Sequence, residues 1–179
     1  SVTVPKGATS ANGTVFKESK TFSLSTSPPS VTRFLPAQYS PQNTAPVMVA
    51  VFNQKIDRKS VLEHLTVKAN GAEFEVKPVD KSVVPESYGV KKVPEDEWIA
   101  VRPVNPFPRA TTINVTFKQG YKSLEGPIPS KVDQTFGFHI YGPMKLTKSP
   151  RDDVSPDDWQ SRNFEFSNSI DTKSFSESM

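Results

Sequence analysis

The chain has 179 residues, enough for one full hydrophobic core and, by length, one or two domains. Lys and Arg number 22 against 19 Asp and Glu, a net charge of +3, and the basic residues are scattered in ones and twos, which gives nucleic-acid binding little support. The absence of cysteine excludes a disulfide framework, a thiolate metal site and a cysteine nucleophile, although it does not fix the compartment. Proline, present 17 times, is barred from helix interiors and sheet centres, so the composition favours many short strands joined by loops. The N-terminus lacks a basic start and apolar run of the signal-peptide kind, and no stretch approaches the roughly 18 apolar residues of a membrane span. The sequence reads as soluble and trimmed at both ends.

In chain order, residues 1–20 are polar, with Val4, Val15 and Phe16 as bulky apolar side chains, and read as a linker or mobile end. Residues 21–25 alternate as a strand with Phe22 and Leu24 inward, stopped by Pro28-Pro29, and residues 31–35 form the next, closed by Pro36. The segment 47–61 organises the rest. Val47, Val49 and Val51 fall on one face of a strand and Met48, Ala50 and Phe52 on the other, the mark of a strand buried on both faces. Asp57 can then cap a short helical turn, 58–64, that turns Val61, Leu62 and Leu65 inward. Asn70-Gly71 between the runs 65–69 and 72–76 predicts a hairpin, because a two-residue type I′ turn demands positive φ at both positions.

Residues 79–96 read as a long loop with an edge strand around Val83-Val84. Extended structure resumes at 97–102, followed by a stiff proline corner at 103–108. A strand at 111–117 then has Ile113, Val115 and Phe117 on its core face. After a turn-rich connection from Gly120 to Pro127, Phe136, Phe138 and Ile140 mark the last strand of the module, and Gly142-Pro143 a boundary.

The stretch at 52–60 is written twice. Phe52, Ile56, Asp57, Lys59 and Ser60 recur as Phe166, Ile170, Asp171, Lys173 and Ser174, all displaced by 114 positions, and Ser40-Pro41 recurs as Ser155-Pro156, displaced by 115. This period suits a β-sandwich module of roughly 100 residues and is far longer than solenoid repeats of about 20–50. The expected layout is a polar segment at 1–20, one complete module at 21–141 and the start of a second, incomplete module at 142–179. Met144 to Leu146, Trp159 and Phe164 to Phe166 would open that second module.

The Phe-x-x-x-Ile-Asp run, Trp98, Pro103, Pro108, the strand ending in Phe117, the run from Gly120 to Pro127 and the Phe-x-Phe strand together carry a resemblance. They resemble the Ig-like macroglobulin modules of bacterial alpha-2-macroglobulins, and the wider bacterial Ig-like class of surface-layer and adhesive proteins. The resemblance implies a seven-stranded antiparallel sandwich of the macroglobulin type, all-β, serving as a non-catalytic segment of a large envelope or periplasmic protease inhibitor. Its implied partners are neighbouring modules and, through the full-length parent, target proteases trapped after bait cleavage. Without cysteine, no thioester lies in these residues. An Ig-like module of a surface-layer or adhesive protein is the alternative, and a carbohydrate-binding module the third reading.

No residue is nominated as catalytic, cofactor-binding or metal-binding. His64 and His139 stand far apart in sequence, too few for a zinc site, which wants three or four ligands. Asp57 and Asp171 could contact a cation or partner, or cap the turn after the strand, and the cap is favoured because both copies keep it. Asp152, Asp153, Asp157 and Asp158 make an acidic cluster that reads as a solvated linker sooner than a calcium site. Trp98 could anchor a partner but reads as packing on the sandwich. Asn12-Gly-Thr14 and Asn114-Val-Thr116 match the glycosylation triplet and carry little weight.

Overall fold

The computed structural model describes residues 1–23, 26–38, 40–148, 164–168 and 170. Four strands form one sheet in the order β3 (Val31–Leu35), β5 (Met48–Phe52), β9 (Trp98–Pro103), β8 (Val76–Pro78). Five form the other, in the order β4 (Pro41–Gln42), β11 (Gln134–Ile140), β10 (Thr112–Phe117), β6 (Leu65–Ala69), β7 (Ala72–Glu73). Two hairpins flank them, β1 (Val2–Val4) with β2 (Lys20–Phe22), and β12 (Leu146–Lys148) with β13 (Glu165–Phe166). The two larger sheets have the strand neighbours of the immunoglobulin sandwich, with the first strand shared between sheets. The fold is an all-β Ig-like sandwich.

Nine strands stand where seven were expected, because two of the seven change sheets part-way. The first breaks at Pro36, which lacks a backbone N–H to continue the ladder, so β3 pairs antiparallel with β5 while β4 pairs parallel with β11. The second breaks after Glu73. Asn70 and Gly71 take the positive φ values, 49° and 83°, that the sequence predicts, and β6 and β7 pair across them. The chain then crosses over, and β8 pairs with β9. At the crossing Phe74 packs against Phe107, a buried residue of the proline corner, with ring centroids 5.3 Å apart.

Every residue of β5 is buried. Met48, Ala50 and Phe52 enter the core between the sheets, with Val115, Phe117 and Phe138 opposite. Val49 and Val51 enter a second cluster, with Val84, Val90, Trp98 and Ala100. The expected edge strand at Val83-Val84 is instead a 3-10 turn at Lys81–Val83, the first of four such turns spanning 81–97. Pro85 and Pro94 stand at the starts of two of them, and Gly89 supplies a left-handed φ of 63°. The turns drop Val84 and Val90 onto the outer face of the sheet. An apolar outer face on β5 needs such a cover, since a loop alone would leave it in water.

The run 1–20, read as a linker, forms structure with β2: β1 and β2 pair antiparallel, and Thr9 bridges Val15 within the hairpin. Phe22 points out, 54% exposed, against the inward placement expected of it. Two strands cannot bury a side chain between them without a second layer. Leu24 lies outside the described residues, as does Trp159.

The chain enters and leaves the sandwich at opposite poles. Gln134, the first residue of β11, accepts from the Val31 N–H through Oε1 at 2.7 Å and donates through Nε2 to the Val31 carbonyl at 3.0 Å. The last residue, Ile140, pairs with Gln42. From start to end β11 covers roughly 20 Å.

Removing the Phe117 ring from the core is expected to cost about 3–5 kcal/mol in a denaturant titration, whereas Phe22→Ala should change stability by less than about 0.5 kcal/mol. Equal losses from the two variants would contradict the placement of Phe22 outside the core.

Candidate functional site

Asp57 sits at the N-cap of α1 (Arg58–Glu63), where its Oδ1 accepts from the backbone N–H groups of Lys59 at 3.1 Å and Ser60 at 3.2 Å. The segment is knit to the loop after β10: the Asp57 N–H donates to the Lys122 carbonyl at 3.1 Å, and the Ser60 hydroxyl accepts from the Lys122 N–H at 3.1 Å. Its carboxylate thus serves backbone donors. Asp171, Asp152, Asp153, Asp157 and Asp158 lie outside the described residues.

The two histidines are held at opposite ends of β10. His64 follows α1, its Nδ1 2.7 Å from the Ser60 carbonyl oxygen, so that nitrogen carries the proton. Its Nε2 edge packs so tightly on Gly120 that a Cβ there would stand 2.9 Å away. Gly120 has φ +107°, so glycine is required twice over. His139 is exposed on β11 with Nδ1 3.0 Å from the Thr112 hydroxyl. Among the described residues, no three His, Asp or Glu side chains converge on one point. No helix among them is long and apolar enough to cross a membrane.

Trp98 is buried on the outer face of β9, within the second cluster. The Arg58 guanidinium carbon stands 5.9 Å from its ring centroid and the same guanidinium donates to the Glu95 carbonyl, so the cation is fixed on both sides. Lys81 Nζ lies 2.9 Å from Glu95 Oε1, and that hydrogen bond holds the Glu95 carboxyl below its ordinary value. These residues line a cleft of about 280 Å³ together with Asp80 and Ser82. The Trp98 Nε1 is buried without a hydrogen-bond partner. Its burial removes the tryptophan as a surface anchor. Of the glycosylation triplets, Asn12 Oδ1 accepts from the Thr14 hydroxyl at 2.9 Å within its own turn, and Asn114 is exposed on β10 beside Gly137.

Tyr121, unremarked in the sequence, is fully buried beneath the connection after β10. Its ring meets Phe52 edge-on at 5.8 Å and its hydroxyl donates to Gln134 Oε1 at 3.3 Å, the same oxygen that holds the Val31 N–H. Tyr121, Gln134 and Val31 form one polar staple between β3, β11 and the connection. Burial pushes the Tyr121 phenol up to about 12. The arrangement is structural chemistry: capping, stapling and two-sided burial, in an immunoglobulin-like sandwich.

The family model agrees with that class. The chain belongs to the bacterial Ig-like domain family, whose model matches residues 25–139. The match supports the wider bacterial Ig-like class and lends an alpha-2-macroglobulin origin no support. No curated protein matches the chain. Among solved structures, L,D-transpeptidase 1 of Mycobacterium tuberculosis is similar at 14% identity and TM-score 0.39, over 77% of this chain and 47% of that one. The N-terminal part of the bacterial S-layer protein SbsC is similar at 13% identity and TM-score 0.40, over 66% of this chain and 26% of that one. A longer SbsC chain is similar at 17% identity and TM-score 0.42, over 70% of this chain and 16% of that one. This chain therefore spans less than half the length of each.

Asp57→Ala is expected to lower stability by about 1 kcal/mol, the usual worth of a lost N-cap, measured by chemical denaturation, while Asp57→Asn should retain most of it. The Tyr121 shift has a definite sign: an unfolded phenol loses its proton near pH ~10 while the folded one holds it to about 12, so stability falls as pH rises through that window. Tyr121→Phe should flatten the loss between about pH 10 and 12 relative to wild type. Parallel pH profiles for the two proteins would refute the assignment.

Proposed function

We propose that this chain is a non-catalytic spacer and interaction module of a large bacterial surface or secreted protein of the Ig-like array kind. The observation that carries the reading is the polarity of the sandwich: the chain enters beside Gln134 and leaves beside Gln42, so the module's own length separates its neighbours. A spacer needs this geometry, and the family membership supplies the class. Its partners are the neighbouring modules of the same polypeptide.

The polar groups favour the same reading. Asp57, Ser60, Tyr121 and Gln134 are each engaged in holding one segment of the sandwich to another. An immunoglobulin-like scaffold hosts many functions, and here the side chains best placed for chemistry are used for cohesion.

An antibody raised against residues 27–141 should bind intact cells of the source bacterium, and protease shaving should remove the signal. Binding only after the outer envelope is opened would favour the periplasmic inhibitor instead. In that case the parent should also trap a general endoprotease, so that small substrates are still cut while large ones are spared. Recovery of the parent only from cytosol would refute both.

A further inference from the structure

Each terminal hairpin reproduces the register and several of the hydrogen bonds of a strand pair of the sandwich. At the N-terminus β1 and β2 pair Val2 with Phe22, Thr3 with Thr21 and Val4 with Lys20, as β10 and β11 pair Val115 with Phe136, Thr116 with Thr135 and Phe117 with Gln134. The Thr3 and Thr21 hydroxyls lie 2.9 Å apart, and so do those of Thr116 and Thr135. Beyond the strands, the Gly7 N–H donates to the Phe16 carbonyl at 2.9 Å and the Phe16 N–H to the Ala8 carbonyl at 2.8 Å. The counterparts are Gly120 to Ser130 at 3.0 Å and Ser130 to Tyr121 at 2.9 Å. Gly7 and Gly120 share a positive φ, +94° and +107°.

The sequence keeps step with this geometry. Val2, Thr3, Gly7, Ser10 and Gly13 recur as Val115, Thr116, Gly120, Ser123 and Gly126, displaced by 113 positions, and Lys17, Thr21 and Phe22 as Lys131, Thr135 and Phe136, displaced by 114.

At the other end β12 and β13 reproduce β3 and β5 with the same irregularity. Leu146 pairs with Phe166 and Lys148 with Glu165 across a bulge, as Val31 pairs with Phe52 and Arg33 with Val51. The Thr147 hydroxyl donates to the Glu165 carbonyl at 2.9 Å, as Thr32 does to Val51 at 3.1 Å. The Lys145 N–H donates to Ser167 Oγ at 2.9 Å, as Ser30 does to Asn53 Oδ1 at 2.9 Å. Asn168 Nδ2 donates to the Gly142 carbonyl at 2.9 Å, as Gln54 Nε2 does to Ser27 at 3.2 Å. Of these residues, Gly142, Lys145, Leu146, Thr147 and Lys148 stand 115 positions after their counterparts, and Glu165, Phe166, Ser167 and Asn168 stand 114. Unrelated hairpins share a ladder, but they do not also share side-chain bonds together with a positive φ, as the first pair does, or a bulge, as the second does, at displacements constant to within one residue.

The equivalent positions differ in exposure. Val115 is 0% exposed and its counterpart Val2 55%; Val31 is 6% and Leu146 51%; Ala50 is 1% and Phe164 55%; Ile56 is 1% and Ile170 36%. Side chains that occupy core positions in one copy are bare in the others.

We propose that β1–β2 is the closing hairpin of a preceding Ig-like module and β12–β13 the opening hairpin of a following one. The polypeptide is then a tandem array with a period of 113–115 positions. The face bearing Val2 is covered by a sheet of the β3–β5–β9–β8 kind, and the face bearing Leu146, Phe164 and Ile170 by a sheet of the β4–β11–β10–β6–β7 kind. Both sheets come from further sequence of the same polypeptide. The grip of Gln54 on Ser27, and of Asn168 on Gly142, ties each module to the proline-containing segment that joins it to the one before. The inference gives the partner of the spacer reading but stands apart from it, since a periplasmic inhibitor is also built of modules.

Because the chain holds no cysteine, single cysteines report their own position. The variants Val2→Cys, Leu146→Cys and, as a buried control, Val115→Cys are made in this chain and in the same chain extended at both ends by about 100 residues of its reading frame, about one module. Maleimide labelling should be fast at positions 2 and 146 in the shorter protein and about 100-fold slower in the longer one, with position 115 slow in both. Fast labelling of both positions in the longer protein would overturn the proposal. So would slow labelling in the shorter protein that accelerates on dilution, the sign of a second copy covering these faces, or a reading frame that closes directly at either end.

Discussion

The burial of β5 on both faces is the constraint on which the structure depends. A strand whose successive side chains are all apolar cannot sit at the surface of a two-layer sandwich, because half of them would face water. Met48, Ala50 and Phe52 are met by the second sheet, and Val49 and Val51 by the four turns of 81–97. The long connection is therefore a third layer, and its prolines and Gly89 serve to bring Val84 and Val90 down onto the sheet. Trp98 completes that layer from β9, with Arg58 fixed over its ring.

The elements whose signals are local were legible in the sequence. Asn70-Gly71 demanded its hairpin, alternation placed Ile113, Val115 and Phe117 in the core, and the run at 47–52 required two-sided burial. The changes of sheet at Pro36 and after Glu73 were not legible, because a strand's partner is chosen by residues far along the chain. The staple from Gln134 to Val31 spans 103 positions and leaves no trace in either neighbourhood. Tyr121 was hidden by its setting, a turn-rich stretch whose composition argues for exposure, although the ring is wholly enclosed. The N-terminal hairpin escaped for another reason. Its apolar residues are too sparse to announce strands, and its signal lies in its spacing from 115–136, outside the repeated stretch at 52–60 and 166–174.

Cohesion and function meet in the poles of the sandwich. The staple of Tyr121, Gln134 and Val31 closes one end, where the chain enters, and the pairing of Ile140 with Gln42 closes the other, where it leaves. Tension applied along the polypeptide would act along β3, β4 and β11, all running the same way, and would meet their backbone bonds side-on and together. The polar network lies at one of these ends and around Asp57. On the proposed reading, a sandwich organised in this way would hold its neighbours apart at a set distance.

That distance is the most direct test of the account. Spin labels attached at Ser30→Cys and Tyr141→Cys, in a chain otherwise free of cysteine, report the separation of the two poles by pulsed electron resonance. The account predicts a narrow distribution centred at roughly 20–35 Å, the reach of β11 plus the label arms. A separation under about 15 Å, or a broad distribution without a maximum, would mean that the chain enters and leaves at one pole or that the sandwich does not hold its ends, and would contradict the spacer reading.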